Sequence, residues 1–332
     1  WKRHRTEWCD FLADHYLTID SLYHRNGVHW DLLQRLRAQG RLGRFNLGYW
    51  NYPKDLSDRA KAEWAARIEQ TIVPTYAKAK ELGLLDHAYL YGCDEVNAET
   101  FGRMQKALAI FREKFPDVPL STTAHEDKYG IGTPLAGMDW FTPLTSVYDP
   151  EQAKLSRAAG HQVWWYICCG PHAPHANMFI ECPPVEARSL MGAQTARMRP
   201  DGFLYYEVSI WNAKRPIASG PFTDWNPMSW RWYHGDGAWT AVGPGGKPLP
   251  TQRLENFRDG LEDYAYVKLL EAKLAAGGLT AAQALRAREL IAVPDSVMRS
   301  MTDFSRNPAD ISAWRDEMAD LIEVKNEKKE NK

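Results

Sequence analysis

The sequence predicts an α/β fold, specifically a (β/α)8 TIM barrel with extra C-terminal helices, and three observations lead there. Seven short β-rich runs alternate with segments of helical period. The connections between them are short, the pattern of a parallel sheet wrapped by helices. No GxGxxG or GxxxxGK[ST] follows any of the runs, so the runner-up, a doubly wound open sheet, has no nucleotide-binding turn to support it.

The chain opens in a helical segment, 1–15, so one further strand is expected ahead of Trp1, and the barrel is expected to lack its first strand here. The predicted strands are 17–23 (LTIDSLY), 44–49 (RFNLGY), 87–93 (HAYLYGC), 118–124 (VPLSTTA), 138–144 (MDWFTPL), 161–169 (HQVWWYICC) and 202–209 (GFLYYEVS). Between the second and third, 57–82 carries Ala60, Trp64, Ile68, Ile72, Tyr76, Ala79 and Leu82 at spacings of four and three, with Ser57 as N-cap. Segment 98–115 repeats the pattern with Phe101, Met104, Leu108, Phe111 and Phe115, capped by Asn97 with Glu99 in the first turn. Segment 184–199 opens on Pro183-Pro184 and stops before Pro200. A later helix carries Leu254, Phe257, Leu261 and Tyr264 along one face. The boundary is expected near residue 275, leaving a catalytic domain over 1–275. The extension over 276–332 is expected to hold helices at 280–292 and 309–325 and to end in the charged, solvated KNEKKENK.

Bulk properties limit the partners. With 332 residues and 44% hydrophobic content the chain can bury a sizeable core. Lys+Arg 41 against Asp+Glu 42 gives no case for a nucleic acid or an anionic membrane as partner. No apolar run is long enough to span a bilayer, and no signal peptide precedes the helical start. The missing initiator Met points to a fragment or a processed chain, which keeps export to the periplasm or cell surface open. Cys9, Cys93, Cys168, Cys169 and Cys182 form neither a CxxC pair nor a paired framework, and no metal or cofactor is implied. Aromatic residues are the unusual quantity: Trp 14, Tyr 15 and Phe 11. Indole faces with a polar edge suit sugar rings, and they suit a large α/β core equally well.

The stretch LYGCDEVNAETF, 90–101, sets two adjacent carboxylates at the mouth of an apolar strand. Counting the strand expected before Trp1, this is the fourth strand, and barrel chemistry sits at C-terminal strand ends. Side chains alternate along a strand, so Asp94 and Glu95 meet one ligand only if the chain turns there, which Gly92 permits. Other strand ends carry Trp50-Asn51-Tyr52, His125-Glu126, the loop from Gly170 to Asn177, and Trp211.

HQVWWYICCGPHAPHANMFIECPPVEARSLMGAQTARMRPDGFLYYEVSIW, followed by HGDGAW and RLENFRDGLEDYAYVKLL, resembles the catalytic domain of glycoside hydrolase family 123 and the wider domain-of-unknown-function family 4091. The resemblance runs from about residue 8 to 275. It implies a barrel that follows an N-terminal β-sandwich domain, not seen in this chain, and an exo-acting β-N-acetylgalactosaminidase whose Asp-Glu motif is occupied by Asp94 and Glu95. The implied substrate is a glycan with a terminal β-linked N-acetylhexosamine. One departure stands in LYYEVSIW, where the family pattern implies Trp near Tyr206 and no acid at Glu207.

Neighbouring acids then have a reason. In substrate-assisted hydrolysis the sugar's own acetamido oxygen attacks C1, and no carboxylate nucleophile is needed. Asp94 would hold the acetamido N–H, and Glu95 would serve as general acid and then base. Trp50, Trp165, Tyr166, Tyr206 and Trp211 are candidate sugar-lining groups, with His125, Asn177 and Glu207 as polar partners. Alternatives stay open: one of Trp164 and Trp165 packs against helices, His125 is structural, Asn177 caps a turn, and Asp236 serves a Gly-flanked turn. Arg188 and Arg258 are expected in structural ion pairs. Two other readings compete. One is a conventional retaining glycosidase with Glu207 as nucleophile roughly 5 Å from Glu95. The other is a carbohydrate-binding domain without turnover.

Overall fold

The structure, a computed structural model, describes residues 3–24, 27–210, 228–230 and 233–324. The chain divides into two compact units. One contains the residues up to Ile167 with Pro200–Glu207 and Gly245–Pro248; the other contains Cys168–Arg199, the described part of Val208–Pro244, and the chain from Leu249 on.

The first unit opens with helices α1 (Arg5–Asp14) and α2 (Trp30–Ala38), the latter burying Leu32, Leu33 and Leu36. Its centre is a parallel sheet in which each strand pairs with the next in sequence: β1 (Phe45–Trp50), β2 (Ala88–Gly92), β3 (Leu120–Thr122), β4 (Trp140–Phe141) and β5 (Gln162–Val163). The ladder is interrupted at Trp164 and resumes as β6 (Trp165–Tyr166), which pairs in parallel with β7 (Phe203–Leu204). A parallel bridge from Leu144 to Tyr166 carries the contact across the break. The helices between strands follow the sequence pattern. Helix α3 (Asp58–Glu81) is capped by Ser57, whose hydroxyl accepts from Ala60 N at 3.2 Å, and it buries Trp64, Ile68, Ile72 and Ala79. Helix α4 (Phe101–Lys114) buries Phe101, Met104, Leu108 and Phe111. Helix α5 (Pro150–Ala158) starts on Asp149, which accepts from Glu151 N and Gln152 N.

Two expectations are corrected here. The segment 17–23 forms no ladder strand; side chains hold it to β1 instead. Asp20 Oδ1 accepts from Asn46 N at 2.9 Å, and Asn46 Nδ2 donates to Leu22 O at 2.7 Å. Asn46 Oδ1 meanwhile accepts from Tyr91 N at 3.1 Å, so one buried amide satisfies backbone on both sides of β1. Asn97, expected to cap α4, has no side-chain cap bond, because its Oδ1 faces His125 Nδ1 at 3.0 Å; a 3-10 turn, Ala98–Thr100, leads into the helix.

In the second unit the segment predicted as one helix over 184–199 is α6 (Val185–Ser189), a π-turn (Leu190–Gln194) and α7 (Thr195–Met198). The widened turn faces α8 (Gln252–Ala276), where glycines allow close passage: a Cβ on Gly192 would lie 3.1 Å from Gly260 O, and one on Gly260 2.6 Å from Arg188 O. Arg188 grips Asp263 there with two hydrogen bonds, 2.6 and 2.9 Å, the expected structural pair. Helix α9 (Ala281–Ile291) begins in a Thr280–Gln283 capping box, and α10 (Pro308–Glu323) donates Trp314 Nε1 to Leu290 O at 2.9 Å. No helix among the described residues is long and apolar enough to cross a membrane.

Candidate active site

The C-terminal end of β2 cannot continue as a strand. A side chain on Gly92 would put its Cβ 1.8 Å from Trp50 O, so only glycine lets β2 pass β1 this closely. Beyond it Cys93 (φ 51°) and Glu95 (φ 48°) both take the left-handed conformation, which is costly for residues with a Cβ. The chain therefore leaves the pleat at the place the sequence reading required, and the two acids do not alternate across a sheet. Gly92→Ala is expected to lower the unfolding free energy by about 3 kcal/mol, measured by urea denaturation, because backbone rather than a flexible side-chain end must move.

Asp94 is half-buried among hydroxyls. Tyr91 OH donates to Oδ1 at 2.5 Å, Thr123 Oγ1 donates to the same oxygen at 2.9 Å, and Tyr23 OH donates to Oδ2 at 3.1 Å. The Asp94 amide donates to the Tyr49 oxygen at 3.3 Å. Burial, and after it the Asp94 charge, push the Tyr91 and Tyr23 phenols well above their ordinary range; burial chiefly pushes Tyr49 up to about 12. All three phenols therefore keep their protons at neutral pH. Glu95 is exposed, and its Oε1 accepts from Tyr166 OH at 2.6 Å. Thr123 Oγ1 touches both acids, since it also accepts from Glu95 N at 3.1 Å. The groups come from the C-terminal ends of β1, β2, β3 and β6, with Tyr23 from the segment before α2.

Of the other residues singled out in the sequence, Tyr166 lies against Glu95, and His125 sits one turn away, exposed, with its backbone N donating to Val96 O at 2.9 Å. Trp50 and Trp165 are corrections. Both are 0% exposed. Trp50 packs on Phe111 and donates Nε1 to Ser121 O at 3.2 Å, and Trp165 packs edge-on against Tyr148, so neither offers a face to a sugar. Asn177 is corrected as well: at 1% exposure its Nδ2 donates to Cys168 O and Pro171 O while Oδ1 accepts from Met178 N, the turn-capping alternative. Tyr206 is half-buried beside Tyr205, with ring centroids 5.2 Å apart, and Glu207 is half-buried beyond the end of β7. Trp211 lies outside the described residues. Asp236 is fully buried in a turn whose flanking glycines, Gly235 and Gly237, both have positive φ. Arg258 pairs with Glu255, Asp259 and Glu262 as expected. No group of three His, Cys, Asp or Glu side chains among the described residues is placed to hold a metal ion.

Sequence reasoning missed Tyr23, Tyr49, Tyr91 and Thr123. For Tyr49 and Tyr91 a signal existed: each stands on the pleat face opposite to the tryptophan or glycine that follows it.

The family profile described as glycoside hydrolase 123, catalytic domain, matches residues 30–270. A solved family 123 glycoside hydrolase from Clostridium perfringens, whose structural analysis concerns glycolipid glycan hydrolysis, superposes with a TM-score of 0.55 at 15% identity, over 81% of this chain and 46% of that one. The chain thus spans less than half the length of that protein, and at this identity the likeness is one of fold. A candidate glycerophosphoryl diester phosphodiesterase from Silicibacter pomeroyi gives a TM-score of 0.33 at 15% identity over 52% of this chain and 50% of that one, too slight to carry an argument. No curated protein matches the chain.

Proposed function

Since the chain belongs to glycoside hydrolase family 123 through its catalytic domain, we propose that it is an exo-acting β-N-acetylgalactosaminidase that retains configuration by substrate-assisted catalysis. One observation carries the reading: consecutive acids leave a strand end in a left-handed turn, one bound by a set of hydroxyl donors and the other exposed beside Tyr166. The sequential strand order β1 to β5 supports the barrel expected to present them.

In the first step the acetamido oxygen attacks C1, the bond from C1 to the leaving oxygen breaks, and Glu95 gives that oxygen its proton. Asp94 receives the acetamido N–H and offsets the positive charge that grows on the oxazolinium nitrogen. In the second step Glu95 takes a proton from water, the water oxygen bonds to C1, and the ring opens to restore the acetamide. The Tyr166 hydroxyl orients the Glu95 carboxylate for both transfers.

A panel of aryl glycosides differing at C2 and C4 tests this reading. Glycosides bearing the 2-acetamido group are cleaved, plain galactosides are inert, and a thiazoline analogue of the acetamido sugar inhibits strongly. Rapid cleavage of a plain galactoside would end the substrate-assisted proposal. The conventional alternative, with Glu207 as nucleophile, predicts azide rescue of an inactive Glu207→Ala variant; unchanged activity in that variant removes it.

A further inference from the structure

We infer that Tyr91, Thr123 and Tyr23 form a hydroxyl cradle that fixes the orientation in which the Asp94 carboxylate meets the substrate acetamide. The inference rests on the substrate-assisted reading and assigns three positioning residues within it.

The hydrogen-bond inventory carries the argument. A carboxylate only accepts, whereas a carboxylic acid must also donate its own proton. Asp94 Oδ1 receives Tyr91 OH at 2.5 Å and Thr123 Oγ1 at 2.9 Å, and Oδ2 receives Tyr23 OH at 3.1 Å, so donors face both oxygens. An acceptor-only carboxylate suits three converging O–H donors on its two oxygens. Tyr91 is 1% exposed, and its other hydroxyl neighbour is Thr123 Oγ1 at 2.8 Å, itself a donor to Asp94, so the two hydroxyls brace one another against Oδ1. The titratable groups facing Asp94 are Tyr23 from the segment before α2, Tyr49 from β1, Tyr91 from β2, and Glu95 in its own turn. Glu95, by contrast, is exposed, where water can reach its carboxylate.

The cradle also sets direction. Two donors on Oδ1 and one on Oδ2 fix the rotation of the carboxylate plane, and the Thr123 hydroxyl links that plane to the Glu95 backbone at 3.1 Å. Loss of one donor loosens the angle at which the acetamide is held, which costs rate more than ground-state binding.

The test uses the full chain, an aryl N-acetyl-β-galactosaminide and the thiazoline inhibitor, with Tyr91→Phe, Thr123→Val and Tyr23→Phe. Tyr91→Phe is expected to lower kcat by about 10- to 100-fold with KM within about threefold. Thiazoline affinity weakens in step with kcat/KM. Tyr23→Phe, at a half-buried position, shows a smaller change of the same kind and guards against a folding defect in the other two. Unchanged kcat together with unchanged thiazoline affinity in all folded variants overturns the cradle. A wild-type chain that cleaves plain galactosides and ignores thiazoline overturns the underlying reading instead, whatever the variants do.

Discussion

Glu95→Gln should reduce kcat by about 10²- to 10⁴-fold on a glycoside whose leaving group needs protonation. The substitution keeps the shape of the side chain and an oxygen for the Tyr166 hydroxyl, which now lies 2.6 Å from Oε1, so folding is unaffected and the loss is chemical. Its size depends on the aglycone. A 2,4-dinitrophenolate leaves without help, so the first step loses far less on that substrate, and slow hydrolysis of the intermediate then limits turnover. Azide needs no general base, and it is expected to restore turnover in Glu95→Ala and yield the β-glycosyl azide. Equal losses on good and poor leaving groups, with no azide effect, would remove Glu95 from the proton-transfer role.

Asp94→Asn should cost about 10²- to 10³-fold in kcat, the scale of losing one electrostatic partner of a developing charge. The carboxamide keeps one acceptor for the surrounding hydroxyls, but it brings an NH₂ toward donors and removes the negative charge that would face the oxazolinium nitrogen. KM for the acetamido glycoside should change little, while thiazoline inhibition falls by a factor like that of kcat/KM, because the inhibitor resembles the charged intermediate. Steady-state kinetics with a thiazoline titration on the same preparation measures both. A variant that loses kcat yet keeps its thiazoline affinity would place Asp94 outside the acetamide contact.

How much of this was legible in the sequence depends on the range over which each residue acts. Asp94 and Glu95 were legible because the signal is local: an apolar run, a glycine, two acids and a helix start. The helices at 57–82 and 98–115 were legible for the same reason, since their stripes read directly as Trp64, Ile68, Ile72 and Phe101, Met104, Leu108, Phe111. Trp50 and Trp165 were misread because a conspicuous residue outweighed the pleat. On β1 the ring that reaches the acids belongs to Tyr49, one position earlier, and on β6 to Tyr166, one position later. The segment 17–23 carries a strand composition, yet Asn46 replaces the ladder with side-chain bonds, a substitution no period reveals. Tyr23 and Thr123 join Asp94 across 71 and 29 residues of chain, which only the tertiary fold brings together. Asn177, conversely, was drawn to the site by its place in a loop, though the bonds that occupy it are made within nine residues.

The central claim is that the sugar's own amide performs the attack while Asp94 steadies it, and a series of aryl β-glycosides with N-acetyl, N-fluoroacetyl, N-difluoroacetyl and N-trifluoroacetyl groups tests it most directly. Each fluorine withdraws electrons from the attacking oxygen, so kcat/KM should fall steeply and monotonically across the series. A flat dependence would mean that a protein carboxylate attacks C1, contradicting the account.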